Sequence, residues 1–138
     1  VFINLVHNAA KFSLADGLIE GRAHAGPLGE CPPEILARLR MPEAPLVEVQ
    51  VIDGGVGIAP EDLGRIFDRF QQVEQTLRRE HGGIGLGLPI SRGIVRSPGG
   101  EIWAERREPS GSVFRVLLPR GGSPGSADGA VAESPVLR

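Results

Sequence analysis

The sequence predicts an α+β fold: a two-layer sandwich with helices on one face of a mixed sheet. Three observations lead there. LVEVQVID (46–53) alternates apolar and polar residues and then ends in apolar residues and an acid, the pattern of a half-buried strand. GGEIWAERRE (99–108) and GSVFRVLLP (111–119) read as two further strands joined by a Pro-Ser-Gly turn. Helical patterns at 1–13 and 84–95 lie between these strands and ahead of them, so hairpin-connected strands are grouped with helices.

Taken in order, VFINLVHNAAKFS opens the chain as a helix, and GLIEGRAH (17–24) follows as a short strand. Residues 25–45 are rich in Pro, Gly and Ala and form an insertion between strands, with a short helix at PPEILARLR (32–40). After the strand at 46–53 comes a glycine turn. Pro60, Glu61 and Asp62 then start a short helix that runs on through GRIFDRFQQ, because proline fits a first turn and acids suit the positive helix end. QVEQTLRREHGG (72–83) is polar and reads as a loop. In the helix at 84–95 the expected apolar side is Leu86, Leu88, Ile90, Ile94 and Val95. Residues 1–119 make one domain, and 120–138, with few apolar residues to bury, make a disordered tail or linker.

The totals exclude several classes. A net charge of −2 with mixed signs argues against a nucleic-acid binder or a membrane-surface contact. The single cysteine, Cys31, rules out an internal disulfide and fits a reducing compartment. No apolar run is long enough for a bilayer helix, and no signal peptide is visible. The chain opens without Met on a helical pattern that lacks a capping signal, and so reads as a fragment of a longer protein.

The first helix holds the only two asparagines, Asn4 and Asn8, and the only lysine, Lys11. At roughly 100° per residue, Asn8 lies about 40° to one side of Asn4 and Lys11 about 20° to the other. The result is a narrow polar stripe on an apolar helix. Either the stripe faces water, or it faces a polar ligand. Two amides and an ammonium suit a hard cation bound with phosphates.

Two glycine clusters carry the second signal. Asp53-Gly54-Gly55-Val56-Gly57-Ile58 ends a strand, and Gly82-Gly83-Ile84-Gly85-Leu86-Gly87-Leu88 enters a helix. Glycine lets backbone approach a ligand closely, and a glycine-rich helix start aims N–H groups at an anion. Neither cluster matches a P-loop or a Rossmann fingerprint. Each alone could be a plain loop. Asp53 at a strand end reads equally as a turn cap or as an acceptor for an exocyclic amine such as that of adenine.

Together these segments resemble sensor histidine kinases. Asn4 through Ser13 is similar to their N box, Asp53–Ile58 to the G1 box, Ile66-Phe67-Asp68-Arg69-Phe70 to the F box, and Gly83–Leu88 to the G2 box. The order agrees, and Gly99–Trp103 and Gly111-Ser112 also look like the family. The resemblance covers about residues 1–119 and implies the Bergerat ATP-binding sandwich shared with gyrase-type ATPases. It implies that Asn8 coordinates Mg²⁺ on the ATP phosphates with Asn4 nearby, and that Lys11 meets phosphate oxygens. Phe12 would border adenine, Asp53 would accept from its amino group, and Gly55 and Gly57 would shape the wall. Residues 71–83 would form an ATP lid, and Gly85 and Gly87 would line the phosphates. Ile58, Phe70, Gly83, Leu86 and Leu88 complete the implied nucleotide set. Arg69 would reach phosphates or a partner domain, or else make a surface salt bridge.

The implied chemistry is transfer of the ATP γ-phosphoryl to a histidine on a separate dimerisation and phosphoacceptor domain, in two-component signalling with a response-regulator receiver, in the cytoplasm. Related ATPases carry a Glu where Asn4 stands, and an amide cannot take a proton from water, which favours a kinase over a hydrolase. Several positions depart from the pattern. Ile84 replaces a usual Thr, Pro89 a common Ala, and Ser97-Pro98 a pair ending in His. The 25–45 segment is longer than typical, and the first strand and helix of the fold are missing. No phosphoacceptor box is present, since His7, His24 and His81 lack its setting. Two rival readings share these boxes: an anti-sigma-type serine kinase, and a degenerate docking module without activity.

Overall fold

A computed structural model describes residues 1–13, 17–26, 31–40, 44–68 and 87–120. Its elements run α1 (Phe2–Phe12), β1 (Ile19–Ala25), α2 (Pro33–Leu36), β2 (Leu46–Asp53), α3 (Gly87–Arg96), β3 (Glu101–Arg106) and β4 (Ser112–Pro119). The α+β sandwich expected from the sequence is present, and β2 has the expected bounds. The strands lie in the order β1-β2-β4-β3. Every neighbouring pair is antiparallel, so the sheet shows no parallel pair among the described residues, unlike the mixed sheet expected.

Alternation along the strands decides which side chains meet the helices. Val51 of β2, Phe114 and Val116 of β4, and Ile102 and Ala104 of β3 share one face. They pack with Leu5 and Ala9 of α1 and Val95 of α3 into the main core, which Ile66 and Phe67 complete. Full burial of each such aliphatic side chain is worth about 1.5–3 kcal/mol, which makes this layer the principal glue of the domain.

The opposite face is not bare. Ile35, Leu39, Leu46, Trp103 and Leu117 form a second cluster there, with Cys31 packed against it. Helices therefore do not lie on one face only: α2 and the turn after it cover the back of the sheet. The reason lies in the sequence, where alternation gives way to adjacent apolar residues at this end (Leu46-Val47 and Val116-Leu117), so that Leu46 and Leu117 would otherwise be exposed. Ala25 pairs with Val47 inside the ladder, which moves the start of the insertion from residue 25 to Gly26. Beside this cluster Arg115 joins Glu48 (2.7 Å) and Glu105 (3.1 Å), and the Trp103 indole N–H donates to Glu105 at 2.9 Å. The burial of Cys31, with Glu48 nearby, raises its thiol above the ordinary range, so it is held protonated.

Two expectations fail for physical reasons. The short helix from Pro60 is a run of tight turns through 67. Asp62, Arg65 and Asp68 N–H groups donate to carbonyls three residues back, and only Ile66 donates four back, to Asp62. Gly64 weakens a helix there, and adjacent Ile66 and Phe67 must both be buried. On α3 the buried residues are Ser91 and Val95, while Ile90 and Ile94 are exposed. A small hydroxyl lets α1 approach where the isoleucines could not. The remainder of that predicted helix, Leu86 included, lies outside the described residues, as do the loop at 72–83 and the tail beyond Arg120.

β3 is one of the two outer strands of the described sheet, and Glu101 blunts it. Its carboxylate accepts the Ile102 N–H at 3.0 Å and receives the Arg96 guanidinium at 2.8–3.1 Å. Burial pushes this carboxyl up, but the Arg96 fork, the Ile102 N–H and the Arg92 charge outweigh it and hold the carboxyl below its ordinary value. A depressed carboxyl stabilises the fold fully above its unfolded value of 4.5 and loses that contribution as pH falls through the folded value. Denaturant unfolding should therefore show stability dropping as pH falls below about 5. In Glu101→Gln the fold should be weaker at pH 7 by about 1–3 kcal/mol, and the acid slope shallower.

Candidate nucleotide-binding site

The site is built from α1 outward. Leu5 and Ala9 are buried against the sheet, which fixes the helix rotation. Asn4 then points across to α3, where its amide donates to the Ser91 hydroxyl at 3.4 Å. It also lies over Gly87: a Cβ there would sit 3.7 Å from the Asn4 Cγ, an ordinary contact. Packing therefore does not demand glycine at 87, the first residue of α3, and the remaining reason for one is backbone access. Asn8 and Lys11 continue the stripe from Asn4 and are half-buried. Thus the polar stripe is not fully exposed, and Asn4 lies beside the start of a helix.

At its other end α1 is tied to the first glycine cluster. The Phe12 carbonyl accepts the Val56 N–H at 3.4 Å, and Gly55 sits so close to that carbonyl that any side chain would collide with it. Gly57 holds φ at +77°, and a Cβ there would press on the Gly111 carbonyl oxygen at 3.0 Å. The Lys11 ammonium is 6.0 Å from the centre of the Phe12 ring, whose edge is exposed. Ile58 and Leu88 are half-buried and pack on the main core, so they back the site with apolar surface.

Asp53 is 2 % exposed at the end of β2. One carboxylate oxygen accepts the Gly55 N–H at 2.9 Å, and the other accepts the Ser112 hydroxyl at 2.8 Å. The turn-capping role is real, and it leaves lone pairs over for a further donor, since a carboxylate offers about four acceptor positions. Ser112 was not singled out as a functional residue from the sequence. Its signal is the strand register, which sets Ser112 directly opposite Asp53. Ser91 was missed for the same reason: its role depends on a neighbour far along the chain.

The structure thus gathers Asn4, Asn8, Lys11, Phe12, Asp53, Gly55, Gly57, Ile58, Gly87 and Leu88 on the helical side of β2. Phe70, Gly83, Gly85 and Leu86 lie outside the described residues, as do Arg69 and Ile84. No group of three His, Cys, Asp or Glu that could hold a metal occurs among the described residues. A single amide such as Asn8 fits a cation that arrives with its ligand's phosphates and keeps several waters. It does not fit a metal held by protein alone.

An acid buried at one end of α1 and an amide–lysine stripe along it suit a ligand with a hydrogen-bonding ring at one end and anionic groups at the other. A nucleotide-binding domain of the ATPase type has that polarity. Residues 1–122 match the family of histidine kinase-, DNA gyrase B- and HSP90-like ATPases, and the chain belongs to it. It is 35 % identical over 119 residues to the sensor protein kinase WalK of Staphylococcus aureus, covering 86 % of this chain and 25 % of WalK. The chain thus spans about a quarter of that relative's length. Among solved structures, the catalytic domain of histidine kinase ThkA is 30 % identical with a TM-score of 0.60, over 85 % of this chain and 62 % of that one. ThkA in complex with response regulator protein TrrA matches at 28 % identity and a TM-score of 0.57, over 86 % and 27 % of the two chains. Full-length ShkA in complex with AMPPNP matches at 26 % identity and a TM-score of 0.59, over 86 % and 20 %. The sandwich is that of histidine kinase catalytic domains, as the sequence motifs implied.

Proposed function

We propose that this chain binds Mg–ATP between α1 and the start of α3 and donates the γ-phosphoryl to a histidine on a separate dimerisation and phosphoacceptor domain. A response-regulator receiver would take the group next, in the cytoplasm. The carrying observation is that the Asn4–Asn8–Lys11 stripe is half-buried and that its first member, Asn4, lies against Gly87 at the start of α3. The relatives support the reading: ThkA is seen with a response regulator protein, and ShkA with AMPPNP.

In the transfer, the bond from the γ-phosphorus to the ADP oxygen breaks as a bond to the acceptor imidazole nitrogen forms. Such chemistry needs placement and charge neutralisation more than covalent help. Asp53 accepts the adenine amino group and fixes the base, while Phe12 and Ile58 border it. Lys11 meets phosphate oxygens, and the Asn8 amide oxygen would hold Mg²⁺, which neutralises phosphate charge when bound. Asn4 donates its amide N–H to Ser91 and carries no carboxylate, so this position supplies no base to activate water.

Calorimetric titration of ATP with and without Mg²⁺ tests the site. Binding should require Mg²⁺, and Asn8→Ala should weaken it roughly tenfold or more. Mg²⁺-independent binding, or an unchanged Asn8→Ala chain, would sink the assignment.

A further inference from the structure

Arg92 is an expensive residue for its position. Its side chain is 20 % exposed on α3, and its Nε is buried without a hydrogen bond among the described residues. The nearby carboxylate of Glu101, 4.0 Å away, is already engaged by the Arg96 fork. Burial lowers the affinity of this guanidinium for its proton, as do the charges of Arg96 and Arg38, while Glu101 and Asp68 oppose them. If packing alone mattered, an apolar side chain of similar length would serve better.

What the guanidinium does reach is the end of the turn at 59–68. It lies 5.8 Å from the centre of the Phe67 ring, in cation–π range, and its Nη1 is 3.7 Å from the Asp68 carboxylate. Phe67 in turn meets Phe114 edge-on, at 6.3 Å and 77°. Phe114 is two residues along β4 from Ser112, the residue that holds Asp53. In the other direction, Arg92 is five residues along α3 from Gly87, about 7.5 Å of rise. The contacts therefore connect the adenine-side wall (Asp53, Ser112 and the turn after Ile58) with the phosphate-side wall at the start of α3.

Resting on the nucleotide-site reading above, we infer that Arg92 is a positioning residue that sets the spacing between these two walls through Phe67 and Asp68. It touches no ligand. Its effect is confined to ligands that span both walls, which separates it from a residue that merely supports the fold.

The test compares ATP with adenosine on the 138-residue chain, with Arg92→Met, Arg92→Lys and Asp68→Asn. Arg92→Met should lose ATP affinity about tenfold and keep adenosine affinity within about twofold. Arg92→Lys should recover part of the loss. Asp68 is exposed, so Asp68→Asn removes no buried packing, and it should give the same selective loss at about threefold, with its melting temperature kept near that of the wild type as the control. Asp68→Asn and Arg92→Met chains that bind ATP as the wild type does overturn the inference, as does an equal loss of ATP and adenosine. A wild-type chain that binds neither ligand overturns the site reading itself, and this inference with it.

Discussion

Asp53→Asn should fold and yet bind ATP roughly 10- to 100-fold more weakly, the cost of losing a charge-assisted acceptor. The fold should survive because both protein contacts can be kept. The amide oxygen can still accept the Gly55 N–H, and the Ser112 hydroxyl can rotate to accept from the amide nitrogen. The adenine amino group, by contrast, would meet a partner with too few free acceptors. Ser112→Ala tests the same geometry from behind, freeing one carboxylate oxygen without removing the charge, and should cost less than Asp53→Asn. Isothermal titration with near-equal melting temperatures for all three chains is the required measurement. ATP affinity in Asp53→Asn equal to that of wild type would exclude Asp53 from base recognition.

Gly111→Ala should be the most destabilising glycine-to-alanine change among the described residues. A Cβ at 111 would drive into the Asp53 carbonyl oxygen, and Gly111 holds φ at +103°, where an L side chain is strained. Both neighbours are backbone, so nothing flexible can move aside. A loss of about 3 kcal/mol or more is expected, a large share of the roughly 5–15 kcal/mol that holds a domain folded. Gly93→Ala is the matched control. It lies in α3 with open space around its Cα, and alanine there should stabilise by about 0.5–1 kcal/mol. Chemical denaturation of both variants reads the contrast directly, and equal midpoints would refute the packing argument.

What the sequence revealed, and what it hid, follows from the range of the interactions involved. β2 was legible because alternation is local, and the β3–β4 hairpin because its turn chemistry is local. The polar stripe on α1 was legible because helical spacing alone puts Asn4, Asn8 and Lys11 together. The buried side of α3 was misjudged because hydropathy favoured Ile90 and Ile94, whereas close approach to α1 favoured Ser91. The turns after Pro60 were read as a helix because start signals outweighed Gly64 and the paired burial of Ile66 and Phe67. Ser112 and Arg92 had no local signature at all. Each gains its role from a residue that only strand register or helix packing brings near.

Trp103 is the sole tryptophan of the chain, and it sits on the back of the sheet with Ile35 and Leu39 over it and its indole N–H on Glu105. The sheet itself stands between this ring and α1. The chain thus carries an intrinsic fluorophore whose emission colour follows the docking of the 31–40 segment and is screened from events on the ATP side. Light from that one indole can watch the insertion come away from the sheet while the nucleotide face is studied by other means.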